Sequence, residues 1–113
     1  MHELSIALNI IDIVKDTFAK SNANQVNDIE LEIGKFSGVE LDALEFALET
    51  SIASTQFKNT KFIITTPQGK GKCNNCKNEF KMKTLYDTCP KCNSFDIDIV
   101  QGQELRVKSI NVD

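Results

Sequence analysis

No stretch of this sequence stays apolar for long. The run containing Ile10, Ile11, Ile13 and Val14 is broken by Asp12 and Lys15, far short of the roughly 20 apolar residues that span a bilayer. No basic stretch followed by an apolar run opens the chain. A cytoplasmic protein with no secretory signal and no membrane partner is therefore expected. Histidine occurs once, as His2, so there is no second imidazole for an open catalytic zinc site. No nucleophile–base pair stands out, and no enzyme is expected. Arginine also occurs once, as Arg106, and the pI is about 5.1; such a chain repels phosphate over most of its surface, which speaks against nucleic acid as a partner. Cysteine is absent outside residues 73–92.

Inside that window the cysteines are dense. Cys73-Asn74-Asn75-Cys76 is followed, after twelve residues, by Cys89-Pro90-Lys91-Cys92. Two residues between cysteines let a tight turn aim both sulfurs at one point. Two such turns facing each other supply the four thiolates of a closed structural zinc site. Soft thiolates also suit iron, so the spacing selects a metal site more firmly than it selects the metal; zinc stands ahead of iron. Two local disulfides are the bland alternative, which a reducing compartment disfavours. The segment 69–102 has few large apolar residues and is too small to fold on burial alone. A structural zinc supplies on the order of 10 kcal/mol or more of apparent binding energy, which becomes folding energy. Without metal this lobe is expected to be disordered.

The overall charge of −3 conceals a division. Lys70, Lys72, Lys77, Lys81, Lys83 and Lys91 against Glu79 and Asp87 leave residues 69–92 at +4 and the rest of the chain at −7. Four thiolates on a divalent ion make a −2 centre that these lysines partly neutralise. A basic zinc ribbon that binds nucleic acid is the rival reading of the same lysines, and a rubredoxin-type iron carrier is a second rival.

Hydrophobic periodicity places the remaining elements. Leu4, Ala7, Leu8, Ile11, Val14 and Phe18, widened by Ile6, Ile10 and Ile13, predict an amphipathic helix ended by Ser21-Asn22-Ala23-Asn24. Ile29, Leu31 and Ile33 alternate with Asp28, Glu30 and Glu32 as in a half-buried strand. Leu41, Leu44, Leu48 and Ile52 predict a second helix from Glu40 to about Ser54. The Ser37–Glu40 spacing there suits a capping box. Strands are expected over 60–66, 78–83, near 95–99 and from 104 to 112. The expected fold class is α+β. A small three-stranded mixed sheet is covered by two helices, with a zinc-ribbon-like four-cysteine domain inserted before the last strand. The expected domains are 1–68 plus 103–113 and, between them, 69–102, with hinges at 67–70 and 100–103.

The lone histidine sits where it can chelate. The Met1 amine, the deprotonated His2 amide and the His2 imidazole close a five- and a six-membered ring on one ion. The Glu3 amide or a carboxylate could be a fourth donor. Displacing an amide proton requires a strongly binding late metal, copper(II) or nickel(II). The bland reading is a solvated histidine at the start of the first helix, with Glu3 complementing the helix dipole.

Taken together, Met1-His2-Glu3-Leu4-Ser5, Ile33-Gly34-Lys35-Phe36-Ser37-Gly38-Val39-Glu40, the paired Cys-x-x-Cys motifs and Gln101-Gly102-Gln103-Glu104-Leu105 resemble the HypA/HybF family of hydrogenase nickel-incorporation proteins over essentially the whole chain. The resemblance implies a nickel metallochaperone. Ni(II) as cargo would fall on Met1, His2 and Glu3, with Glu40 a nearby carboxylate. Structural Zn(II) would fall on Cys73, Cys76, Cys89 and Cys92. The implied partners are a nickel-handling GTPase, the large subunit of nickel-iron hydrogenase and, in some organisms, the urease accessory system.

Overall fold

The structure, a computed structural model, describes residues 2–113. Eight elements follow one another: α1 (Glu3–Ala19), β1 (Val26–Ile33), α2 (Leu41–Ile52), β2 (Lys61–Thr65), β3 (Gly69–Cys73), β4 (Glu79–Met82), β5 (Ile97–Gln101) and β6 (Leu105–Val112). They form two three-stranded sheets, with strand orders β2-β1-β6 and β4-β3-β5. The chain divides into two compact units. One comprises Met1–Leu31, Val39–Ile64 and Val107–Asp113, the other Glu32–Gly38 and Thr65–Arg106. None of the described helices is long and apolar enough to cross a membrane.

In the first unit, helical spacing decides what is buried. Ala7, Ile10, Ile11 and Val14 of α1 and Leu44, Ala47, Leu48 and Ile52 of α2 are the buried faces of two helices that pack on one another, and Val26, Ile29 and Leu31 of β1 are buried as well. Fully burying each aliphatic side chain is worth about 1.5–3 kcal/mol. The helical stripe is narrower than the sequence suggested: Leu4, Leu8 and Ile13 lie on the outer side, each about half exposed. Beyond α2, Phe57 is buried edge-to-face on Phe18, with ring centroids 5.7 Å apart. The buried Thr60 hydroxyl donates to the Val26 carbonyl at 3.0 Å. The end of β6 is tied to the start of β1 by Asp113 N–H to the Gln25 carbonyl at 3.0 Å and Asn24 N–H to the Asp113 carbonyl at 2.6 Å.

The start of α2 differs from expectation. Glu40, not Ser37, is the N-cap, and its side chain makes no capping bond. The carboxylate that reaches this helix end belongs to Glu3 of α1, which accepts the Glu40 N–H at 3.2 Å. A capping box needs the helix to begin at residue 37, but Gly38 has φ +78° and interrupts any helical path there.

The second unit is built on β3, whose neighbours both run antiparallel to it. Gly69 stands opposite Met82 and Gly71 opposite Phe80 on β4; Gly71 stands opposite Ile99 and Cys73 opposite Ile97 on β5. Periodicity did not reveal β3, and its first residues were expected to be a hinge. The strand alternates nonetheless: Gly69, Gly71 and Cys73 are buried while Lys70 and Lys72 are exposed. Glycine stands where an apolar side chain would mark a strand, because neighbours fill the space. A Cβ on Gly71 would meet the Met82 sulfur and the Ile97 side chain, and one on Gly69 would meet the Phe36 ring. Lys70 pairs with Gln101 across the same ladder, so the two expected hinge stretches enter one hydrogen-bonded sheet.

Candidate metal centres

The four cysteines converge. Their sulfurs all lie within 4.8 Å of one another, and all four are free thiols. The Cys73 and Cys92 sulfurs stand 3.5 Å apart, as do those of Cys76 and Cys89. A tetrahedron with metal–sulfur bonds of about 2.3 Å has edges of about 3.8 Å. The donor set and its dimensions therefore fit one tetrahedral ion, and the close pairs run between the two motifs rather than within them.

Each motif folds by the same local rules. Lys77 N–H donates to the Cys73 carbonyl at 2.9 Å, and Asn93 N–H to the Cys89 carbonyl at 2.8 Å. One step further on, Cys73 N–H donates to the Asn78 carbonyl at 2.9 Å, and Cys89 N–H to that of Ser94 at 3.0 Å. Lys77 and Asn93, each directly after the second cysteine of its pair, take the left-handed conformation at φ 65° and 62°. The site is thus two copies of one turn. The Cys76 N–H points at the Cys73 sulfur at 3.4 Å, and the Asn75 and Asn78 side-chain amides approach the sulfurs of Cys92 and Cys89 at 3.6 and 3.9 Å. Donors around sulfur favour thiolate, and four thiolates side by side require a cation.

The thiols titrate apart for that reason. The Cys76 N–H, working against burial, lowers Cys73. Burial raises Cys89, but the N–H groups of Cys92 and Lys91 and the adjacent Cys76 and Cys92 sulfurs outweigh it and bring it to about 6. The Asn78 N–H lowers Cys76, while burial and the three neighbouring sulfurs raise it further, to about 11. One sulfur holds negative charge at another's expense, a conflict that a divalent ion removes.

At the other candidate site, Met1 lies outside the described residues. His2 is the N-cap of α1 through its backbone: its carbonyl accepts the Ile6 N–H at 3.2 Å, while the exposed imidazole makes no capping bond. The Glu40 N–H holds the Glu3 carboxyl below the usual range. Glu3 and Glu40, far apart in sequence, thus meet at adjoining helix starts. Sequence reasoning named both residues but missed the bond between them. It also missed the paired left-handed residues, whose one visible signal was the turn-prone Asn93 after the second Cys-x-x-Cys.

The family model described as "HypA: Hydrogenase/urease nickel incorporation, metallochaperone, hypA" matches residues 1–112. The chain belongs to the HypA family. It is 43% identical over 110 residues to the hydrogenase maturation factor HypA of Parabacteroides distasonis, covering 97% of this chain and 96% of the relative. It is 38% identical over 113 residues to that of Geotalea uraniireducens, covering both chains fully. The solution structure of the Ni metallochaperone HypA from Helicobacter pylori superposes with a TM-score of 0.70 at 26% identity, covering 99% of this chain and 97% of that one. A second solution structure of a HypA protein gives 0.75 at 27% identity, covering 99% and 96%. The family is one of nickel metallochaperones, and its α+β fold with a four-cysteine ribbon is the fold found here. Nickel is the family's cargo, and four cysteines stand ready for a structural ion of the zinc type.

Proposed function

We propose that this HypA-family chain is a nickel carrier and not an enzyme. It takes Ni(II) at its N-terminus through the Met1 amine, His2 and the Glu3 backbone, and passes it, with a nickel-handling GTPase, to the large subunit of nickel-iron hydrogenase in the cytoplasm. The unit built on α1 and α2 carries the nickel end, and the unit of Glu32–Gly38 with Thr65–Arg106 carries zinc on Cys73, Cys76, Cys89 and Cys92. The relatives are named for hydrogenase maturation, and the family description adds urease, so a urease accessory protein is a second client of the same chemistry.

The observation that carries the reading is the Glu3–Glu40 bond beside a His2 imidazole that takes no part in capping. The first amides of an α-helix have no acceptor within the helix, so the His2 amide nitrogen can be given to a metal at no cost to α1. The positive end of a helix dipole opposes a cation. An ionised amide and the carboxylates of Glu3 and Glu40 offset that. Glu3 then acts mainly by anchoring the terminus to α2, with Glu40 the carboxylate nearest the cargo. Nucleic acid fits less well: Lys70, Lys72 and Lys81 alternate on their strands with the buried positions, and Glu79 and Asp98 stand directly opposite Lys72.

Nickel titration of untagged protein beside a form with extra N-terminal residues tests the assignment. Stoichiometric binding by the first, lost in the second and in His2→Ala, is the expected result. Equal binding by all three sinks the terminal site.

A further inference from the structure

The four sulfurs of the cysteine centre differ in what can reach them. Cys73 and Cys89 are fully buried, Cys92 is half-buried and Cys76 is exposed. The first cysteine of each motif is shut in, its N–H tied back across the turn to the Asn78 or Ser94 carbonyl. The second stands directly before the left-handed residue, Lys77 or Asn93, where the chain changes direction. Amide donors divide in a similar way. The Asn75 and Cys76 N–H groups point at the Cys73 sulfur. Those of Lys91 and Cys92, with the Asn78 side-chain amide at 3.9 Å, point at Cys89. The Cys76 sulfur accepts the Asn78 N–H. A bound ion keeps all four sulfurs as thiolates, so access and not ionisation decides which one an oxidant meets first. That sulfur is Cys76.

The partner that would capture an oxidised Cys76 is set by distance. Its sulfur lies 3.5 Å from that of Cys89, and a disulfide needs about 2.05 Å. The Cys73 and Cys92 sulfurs stand equally close. Both close pairs join one motif to the other, so the short path to a disulfide crosses between the turns.

We propose that this centre is a peroxide-reactive site in which Cys76 is oxidised first, Cys89 resolves it, and a disulfide between the motifs takes the place of zinc. The Cys76 thiolate attacks one oxygen of hydrogen peroxide; an S–O bond forms, the O–O bond breaks and hydroxide leaves. The Cys89 thiolate then attacks the Cys76 sulfur; the S–S bond forms, the S–O bond breaks and a second hydroxide leaves. Each sulfur gives up one electron, and the peroxide takes up two. Two of the four donors are gone, and zinc is released. A second peroxide closes Cys73 and Cys92 in the same way, entering at the half-buried Cys92. Neither step uses nickel. The pairing decides what oxidation does to the fold. A disulfide within a motif would close a four-residue loop and hold nothing else. One from Cys76 to Cys89 encloses residues 77–88 and keeps the two turns joined, and a cross-link stabilises more as its loop lengthens. Oxidation thus exchanges a metal fastening for a covalent one between the same turns, and a dithiol reverses it.

The test treats zinc-loaded, untagged, full-length protein with increments of hydrogen peroxide. A chromogenic chelator follows released zinc, and mass spectrometry of unreduced peptides maps the disulfides. The expected result is complete loss of zinc, with the Cys76–Cys89 pair appearing ahead of the Cys73–Cys92 pair, and full recovery of zinc binding after dithiothreitol. A second measurement needs no oxidant: substoichiometric N-ethylmaleimide on the zinc-loaded protein should label Cys76 before the other three. Both use the unaltered chain, so a substitution that unfolds the ribbon cannot mimic either result. Disulfides within the motifs, Cys73–Cys76 and Cys89–Cys92, overturn the proposal. So do zinc retained in excess peroxide, disulfides formed only between chains, and first labelling at any other cysteine.

Discussion

Gly34→Ala is expected to be among the most damaging small substitutions in this protein, although it adds a single methyl group. Gly34 has an ordinary backbone conformation, so the harm is not conformational. Its added Cβ would fall on the carbonyl of Gly102 and on the Glu104 carboxylate, and a backbone carbonyl cannot swing aside as a side chain can. Three hydrogen bonds hold that approach: Gly34 N–H to the Glu104 carbonyl at 2.8 Å, Phe36 N–H to the Gly102 carbonyl at 2.6 Å and Gly102 N–H to the Glu104 carboxylate at 2.9 Å. Overpacking costs about 1–3 kcal/mol. Losing one or two of those bonds adds about 1 kcal/mol each, for a total of about 2–5 kcal/mol. At about 4 °C per kcal/mol for a chain of this size, Tm should fall by roughly 8–20 °C. Gly38→Ala is the internal control: its Cβ meets nothing, but φ is +78°, so the cost is the left-handed conformation alone, about 1–2 kcal/mol. Thermal and urea unfolding of the two variants decide the matter. Gly34→Ala no worse than Gly38→Ala would refute the close approach.

Lys77→Gly, relieving the left-handed conformation of the first cysteine turn, should stabilise the protein by about 1 kcal/mol, measured by urea unfolding with zinc bound; Asn93→Gly should gain less, because asparagine tolerates that region. Stripping the structural ion with a chelator in denaturant and then removing both should leave the β4-β3-β5 unit without amide protection in hydrogen exchange while α1 and α2 stay protected; retained protection across Gly69–Cys73 would count against metal-dependent folding. The lowered Glu3 carboxyl makes its bond to Glu40 pH-dependent. A carboxyl depressed on folding stabilises above its unfolded value of ~4.3 and loses that contribution as pH falls through the lowered folded value. The Glu40 amide resonance should therefore titrate with a midpoint below ~4.3, and a midpoint at or above that value contradicts the bond. Thr60→Val should cost about 1 kcal/mol by leaving the Val26 carbonyl without its hydroxyl donor, seen as a lowered urea midpoint.

What the sequence showed and what it hid divide along physical lines. Both helices and β1 were legible because their apolar side chains repeat at the period of the element. The four cysteines were legible because metal geometry demands a fixed local spacing. β3 was hidden because glycine leaves no hydrophobic mark, although Gly69 and Gly71 are buried as thoroughly as a valine would be. The outward turn of Leu4 and Leu8 was hidden for the opposite reason: their apolar character suits α1's inner stripe, and only packing decides that Ile10 takes the place. The Glu3–Glu40 contact spans 37 residues, a separation at which local patterning says nothing. The expected domain 1–68 placed Gly34 and Phe36 with the nickel end, whereas they bond and pack within the unit that carries the cysteines.

That last placement explains why glycine recurs in the motifs. Phe36 lies over Gly69 and Gly102, where a side chain on either residue would meet its ring. The Phe36 N–H is bound to the Gly102 carbonyl, and the Lys35 N–H to that of Pro67 at 3.1 Å. Gly102 itself takes φ +121°, which few other residues adopt. The strands that leave and re-enter this unit therefore pass through one aromatic clamp. The clamp closes on bare backbone, and the cysteines sit at the far end of the same ladder, where Cys73 pairs with Ile97. An ion held by the four sulfurs fixes one end of that ladder and Phe36 fixes the other. With so little apolar surface between them, both fastenings are needed for the unit to keep its register.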